Sequence, residues 1–126
     1  MHKPKSGITF LKTKDLLETS EFYEQVMKFE FVLDQVKCRI FKVCDNCYLG
    51  FCLTDGITGS EEVIYTFEID DVDGFYSYLE SQQVEVEVRP RLNRDYNIYQ
   101  MFFRDPNGYL LEVQRFLDPQ WPGSQE

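Results

Sequence analysis

Few residues in this chain could do nucleophilic or metal chemistry, and most of them lie in one segment. The single histidine is His2, so a histidine-based catalytic triad and a site with several histidine ligands are both excluded. Arg39 and Lys42 are the basic residues that we consider as candidates to lower the pKa of a cysteine thiol. The cysteines cluster in one stretch of 15 positions, as Cys38, Cys44, Cys47 and Cys52.

Cys44 and Cys47 have the spacing of half a zinc site. No second pair of this kind follows, and a structural zinc takes four ligands. The intervening Asp45 and Asn46 favour a two-residue hairpin turn, which would place the two cysteines opposite each other. We therefore predict a hairpin with thiols, and a reversible cross-strand disulfide stays open as an alternative.

Length and charge limit the class of protein. The 126 residues suffice for one domain, and the net charge of −9 argues against binding to nucleic acid. No apolar run approaches the roughly 20 residues of a membrane span, so no membrane partner is expected. The N-terminus lacks the apolar segment of a secretion signal, which predicts a cytoplasmic protein. The acidity also suits a cationic ligand, although solubility explains it more simply.

An internal repeat determines the predicted fold. Ile8–Leu16 aligns with Ile64–Val72, and each stretch is a β-rich run followed by an aspartate that can cap a helix. A strand is predicted after each helix, over Phe29–Leu33 and Val84–Val88.

The later parts of the two halves also align. Asn46–Phe51 matches Asn107–Glu112, and Arg39–Phe41 matches Gln100–Phe102. We therefore predict an α+β fold of two tandem βαβββ modules in a single domain. Module one spans 6–54, a linker 55–61, module two 62–116 and a tail 117–126. Whether the tail docks through Trp121 is left open.

Two motifs carry a resemblance to a known family. The run Phe103–Glu112, with its Asp-Pro-Asn-Gly-Tyr core, and the run Asp15–Tyr23 resemble the vicinal oxygen chelate superfamily over residues 7–116. That superfamily includes the glyoxalase I, fosfomycin-resistance, bleomycin-resistance and extradiol-dioxygenase families. The resemblance implies a curved mixed sheet with a central cleft, and a homodimer.

The resemblance also implies four metal-ligand positions, one on each of four strands. In this sequence they fall at Ile8, Phe51, Ile64 and Glu112, and only Glu112 can bind a metal ion. One carboxylate does not hold a catalytic divalent ion against water. We therefore expect no metal and no other cofactor.

The remaining pocket residues follow from strand alternation, from the resemblance and from the repeat. Gln100, Phe102 and Thr66 are predicted to face the pocket with Glu112. The first module is predicted to contribute Arg39, Phe41, Phe51 and Phe10. This apolar and aromatic composition suits a small-molecule site, and it suits a filled core equally.

Glu112 has two interpretations. It could act as a general base or anchor a cation, or it could pair with Arg39 or Gln100 in a purely structural role. No second acid, base or nucleophile is placed beside it, so catalysis is the weaker hypothesis.

The resemblance and the pocket leave three functions open. The first is a metal-free binder of a small cationic or aromatic compound, of the bleomycin-resistance type. The second is an enzyme of the same superfamily, a lyase, isomerase or dioxygenase with an atypical site. The third is a dimeric interaction module whose pocket is filled. Bound metal would favour the enzyme, an open aromatic pocket the binder, and the absence of a pocket the interaction module.

Overall fold

Each half of the chain folds as a strand, a helix and three further strands. The structure, a computed structural model, describes residues 2–122, with one unit ending at Gly59 and another beginning at Ser60. The first unit contains β1 (Gly7–Thr13), α1 (Leu16–Glu21), a π-helical turn (Phe22–Val26), β2 (Glu30–Asp34), β3 (Cys38–Cys44) and β4 (Cys47–Leu53). The second contains β5 (Ile64–Glu68), α2 (Val72–Ser81), β6 (Val86–Asn93), β7 (Ile98–Arg104) and β8 (Leu110–Phe116).

The strands form two mixed sheets of four strands with the same topology. Sheet one has the order β1-β4-β3-β2, and sheet two has the order β5-β8-β7-β6. In each sheet the first strand of the module runs parallel to the last, and the other neighbours are antiparallel. The predicted α+β fold of tandem βαβββ modules is confirmed, and each module forms a sheet of its own.

Both helices begin at an aspartate, as the sequence predicts. Asp15 Oδ1 accepts a hydrogen bond from the backbone N–H of Glu18 at 3.0 Å. Asp71 Oδ1 accepts one from the N–H of Gly74 at 2.9 Å. These caps satisfy N–H groups that have no partner within the helix. Neither helix in residues 2–122 is long and apolar enough to cross a membrane.

The apolar core of each unit lies between its helix and one face of its sheet. In the first unit the ring of Tyr23 lies 4.8 Å from that of Phe51 and 5.9 Å from that of Phe41, between centroids. All three side chains are fully buried. In the second unit the ring of Phe75 on α2 lies 6.1 Å from that of Phe103. The opposite face of sheet two carries Glu112 and the residues that contact it, which are described below.

Strand β6 extends further than the sequence predicts. A strand was expected over Val84–Val88, and the observed strand continues through Pro90 to Asn93. Proline has no N–H for a sheet ladder, and it is tolerated here because β6 is an edge strand of sheet two. The extension places Asn93 opposite Ile98 on β7.

Candidate functional site

One face of sheet two, the face away from α2, brings together the four residues predicted from the second module. Thr66 on β5 and Phe102 on β7 are the register partners of Glu112 on β8, and Gln100 lies opposite Gln114. Register partners, and residues two apart on one strand, point to the same side of a sheet. The shared face that strand alternation and the family resemblance predict for these residues is therefore observed.

A chain of hydrogen bonds holds the Glu112 carboxylate in place. Thr66 Oγ1 donates to Glu112 Oε1 at 2.8 Å, and Gln100 Nε2 donates to Glu112 Oε2. Asn93 Nδ2 donates in turn to Gln100 Oε1 at 2.8 Å. Glu112 is 6% exposed and Gln100 is 3% exposed. Both carboxylate oxygens thus accept from neutral donors, and Asn93 fixes the orientation of the Gln100 amide.

This network lies at the wall of a cavity in the second unit. The cavity has a volume of about 510 Å³, within the usual range for small-molecule sites of about 300–1,000 Å³. Its wall combines apolar and aromatic side chains with the polar network and one arginine. The lining residues are Ile64, Arg91, Asn93, Tyr96, Ile98, Gln100, Phe102, Glu112, Gln114 and Trp121.

The predicted tail contributes to this wall. The indole of Trp121 stacks on the ring of Phe116, with centroids 4.3 Å apart and planes inclined by 18°. The backbone N–H of Leu117 donates to the carbonyl of Asn97 at 3.1 Å, which ties the tail to the loop before β7. Residues 123–126 of the predicted tail lie outside the described residues. The docking through Trp121 that the sequence left open is therefore present.

The two tyrosines near this loop have different positions. Tyr96 lines the cavity and is 72% exposed. The hydroxyl of Tyr99 instead donates to Asp73 of α2 at 2.6 Å, and this hydrogen bond raises the pKa of Tyr99 above its ordinary value. Of these two tyrosines, only Tyr96 is therefore available to a molecule in the cavity.

The prediction of which residues of β3 and β4 face the pocket was wrong by one position along each strand. Phe10 of β1 is the register partner of Gly50, as Thr66 of β5 is of Glu112, so Gly50 and not Phe51 is the counterpart of Glu112. A shift of one residue moves a side chain to the other face of a sheet. Phe41 and Phe51 accordingly pack against Tyr23 beneath the helix.

The alignment of the two turns explains this error. Lys42 pairs with Tyr48 as Arg104 pairs with Leu110, and five residues separate the partners in both hairpins. Asn46 therefore corresponds to Gly108, and not to Asn107, and both have a positive φ, of 61° and 88°. The short turn conceals this equivalence because the pairing of β3 with β4 shifts register between Lys42 and Cys44.

Arg39 belongs to the covered side of sheet one as well. Its Nη1 donates to Ser20 Oγ at 2.8 Å, and its guanidinium lies 5.8 Å from the centroid of the Phe31 ring. These contacts lie within the first unit, so the predicted pairing with Glu112 was wrong, whereas the alternative pairing with Gln100 is confirmed.

Phe10 lies on the face of sheet one that corresponds to the Glu112 face of sheet two. Its side chain is 50% exposed, and its ring covers Gly50. A Cβ atom at Gly50 would lie 2.7 Å from the ring, so a larger residue at this position would force the Phe10 ring to shift.

Sequence reasoning missed several residues of the cavity wall, among them Asn93, Arg91 and Trp121. Asn93 and Arg91 lie on the part of β6 that extends beyond Val88, where the predicted strand ends. Trp121 is the chain's single tryptophan, and that was the only signal for it in the sequence.

Comparison with known proteins places this chain in a family. The model of the Glyoxalase/Bleomycin resistance protein/Dioxygenase superfamily matches residues 7–113. The chain belongs to this superfamily. No curated protein sequence matches it significantly.

Solved structures share the fold of this superfamily member. Lactoylglutathione lyase from Agrobacterium tumefaciens is 24% identical with a TM-score of 0.73, over 89% of this chain and 94% of that one. The fosfomycin resistance protein FosX from Listeria monocytogenes is 21% identical with a TM-score of 0.74, over 90% and 93%. A glyoxalase/bleomycin resistance protein/dioxygenase from Nocardioides is 18% identical with a TM-score of 0.79, over 98% and 90%. At these identities the likeness shows the fold alone.

The divalent metal implied by the glyoxalase-type families does not fit the residues present. Both oxygens of Glu112 accept hydrogen bonds, and Gln100 turns its NH₂ group, which cannot ligate a metal, toward the carboxylate. The corresponding positions Ile8, Gly50 and Ile64 offer no donor atom in their side chains. Within residues 2–122, no group of three His, Cys, Asp or Glu side chains is arranged to hold a metal ion.

Proposed function

We propose that this superfamily member binds a small organic molecule, without a metal, in the cavity of its second unit. The observation that carries the proposal is the buried Glu112 carboxylate, held by Thr66 and Gln100 at the wall of a cavity of about 510 Å³. A cavity of this size beside the Glu112 face of sheet two also argues against an interaction module with a filled pocket.

The chemistry of the wall indicates the class of ligand. No salt bridge to Glu112 occurs within residues 2–122, and its hydrogen-bond donors are neutral, so nothing at hydrogen-bond distance neutralises its charge. Phe102, Tyr96 and Trp121 place aromatic rings in the wall of the same cavity. A cation on a flat aromatic framework would satisfy the carboxylate and stack on these rings.

Arg91 completes the polar part of the wall and lies opposite Gln100 in the register. Arg91 lies on the edge strand β6 and is exposed. An anionic ligand would have to approach the buried Glu112 to fill the cavity, and repulsion and desolvation would oppose this. We therefore favour a cation over an anion.

Two ligands with the same ring system test the proposal. Proflavine is a planar aromatic cation at neutral pH, and acridine is its uncharged parent. Titrations followed by the fluorescence of Trp121, the only tryptophan, should show proflavine binding at least tenfold more tightly than acridine. Equal affinities, or no saturable binding of proflavine, would overturn the proposed ligand class.

Metal independence requires its own measurement. Elemental analysis of the purified protein, with thermal melts in Zn²⁺, Ni²⁺, Mn²⁺ and Fe²⁺, should show no stoichiometric metal and no rise in melting temperature. A ligand that binds only the folded state at 100 times its Kd stabilises it by about 2.7 kcal/mol, so a tight metal site would be visible. Stoichiometric metal would overturn this part of the proposal and favour the enzyme hypothesis.

A further inference from the structure

The β3–β4 hairpin pairs the four cysteines of the chain two by two. Cys38 is the register partner of Cys52 deep in the hairpin, and Cys44 is the partner of Cys47 at its turn. Within each pair the neighbouring thiol also helps to raise the pKa, of Cys38 in the deeper pair and of Cys44 at the turn. All four carry thiols in this structure.

The backbone at the deeper pair suits a disulfide. The N–H of Leu53 donates to the carbonyl of Lys37 at 2.8 Å, so Lys37 and Leu53 form a hydrogen-bonded pair of the ladder. The next pair, Cys38 and Cys52, is therefore a non-hydrogen-bonded pair, whose Cα atoms in antiparallel sheets lie about 4.5 Å apart. Disulfides span Cα distances of about 4.4–6.8 Å, so a bond can form without moving either strand.

The two thiols of this pair have different surroundings. Cys38 is 8% exposed, and its pKa is raised to about 11 by burial and by the hydrogen bond with Cys52. Cys52 is partly exposed, and Lys12 on β1 is its register partner on the other side. Cys52 is thus the thiol that a reagent from solution can reach, and Cys38 is held beside it.

We propose that Cys38 and Cys52 form a redox site that closes to a disulfide by exchange with a low-molecular-weight disulfide such as oxidised glutathione. The sulfur of Cys52, as its thiolate, attacks one sulfur of the reagent and breaks its S–S bond, which releases the first thiol. Cys38 then gives up its proton and attacks the mixed disulfide on Cys52, which releases the second thiol. Two electrons and two protons pass from the cysteines to the reagent, and no residue of the cavity in sheet two takes part.

A variant with Cys44→Ser and Cys47→Ser leaves only the proposed pair. After incubation of the folded variant with oxidised glutathione, intact mass spectrometry should show the loss of two hydrogens and no adduct. A persistent glutathione adduct would overturn the proposal. The proposal would also be overturned if both thiols of the folded variant stayed unmodified under conditions that oxidise the same pair in urea.

Removal of Cys38 provides the matched control. In the same background, Cys38→Ser should stop the reaction at a mixed disulfide on Cys52, and absence of that adduct would overturn Cys52 as the attacking thiol. The wild-type protein gives a test without substitutions, because trypsin releases the dipeptide Cys38-Arg39 separately from the peptide 43–91. The dipeptide should remain linked to that peptide after oxidation and should be released after reduction.

Discussion

Gln100 donates a hydrogen bond to the carboxylate of Glu112, and both side chains are buried on the open face of sheet two. The amide can do this because Asn93 occupies its oxygen, so that its nitrogen faces the carboxylate. A charge in an apolar wall is stable only with such partners. The pair therefore explains how a carboxylate is maintained beside the cavity without a cation.

Replacement of Gln100 by leucine should destabilise the protein. Gln100→Leu leaves one oxygen of the buried Glu112 without a donor, which costs about 1–3 kcal/mol of the free energy of unfolding. Urea denaturation measures the change. Gln114→Leu is the matched control, since Gln114 lies opposite Gln100 on the same face without contributing to this network, and it should change stability by less than about 0.5 kcal/mol. Equal effects would contradict the role assigned to Gln100.

Removal of the charge of Glu112 should weaken the binding of a cation selectively. Glu112→Gln should lower the affinity for proflavine by about tenfold or more, because hydrogen bonds to charged groups contribute about 1.5–3 kcal/mol, and should leave the affinity for acridine within about threefold. Fluorescence titration measures both. Glu68→Gln removes a charge from β5 outside the cavity and should leave both affinities unchanged. A uniform loss for both ligands would indicate damage to the cavity instead.

The buried Cys38 thiol should make stability depend on alkaline pH. Burial raises its pKa from 9.0 to about 11, so between these values the folded state retains a proton that the unfolded state loses. The free energy of unfolding should therefore fall as pH rises from about 9 to about 11. In urea denaturation under reducing conditions, Cys38→Ser should show a smaller fall over this range. If the free energy of unfolding fell equally with pH in the wild-type protein and in Cys38→Ser, the raised pKa of Cys38 would be contradicted.

The contact between Phe10 and Gly50 should make Gly50→Ala destabilising. The added Cβ would lie 2.7 Å from the Phe10 ring, and overpacking of this kind costs about 1–3 kcal/mol. Gly7→Ala is the control, because a Cβ at Gly7 meets no atom within 4 Å. Thermal melts should show a lower melting temperature for Gly50→Ala than for Gly7→Ala. When Phe10→Ala is present in both backgrounds, most of this difference should disappear. If the difference persists in the double variant, the Phe10 ring is not its cause.

The homodimer that the family resemblance implies remains a prediction. Ile8 on sheet one is 46% exposed and Ile64 on sheet two is 47% exposed, and edge strands with exposed apolar side chains tend to associate. Light scattering should give twice the mass of the chain. Ile8→Lys should shift the protein toward the monomer, whereas Ile57→Lys, at a position 93% exposed, should not. A monomeric wild-type protein would contradict the prediction.

The module order, the caps at Asp15 and Asp71, and the common face of Glu112, Gln100 and Thr66 were predictable from the sequence. These features are local, or follow from strand alternation together with the internal repeat and the family resemblance. An aspartate caps the helix that begins beside it, and residues two apart on a strand share a face wherever that strand lies.

The features that depend on pairing between strands became evident only in the folded chain. Gly50 lies where Phe51 was expected, because the register shift between Lys42 and Cys44 leaves no pattern in the sequence and one residue reverses the face. Asn93 and Trp121 reach the cavity through an edge strand that passes a proline and through a docked tail. Neither contact leaves a periodic pattern in the sequence, since each arises from packing between segments distant along the chain.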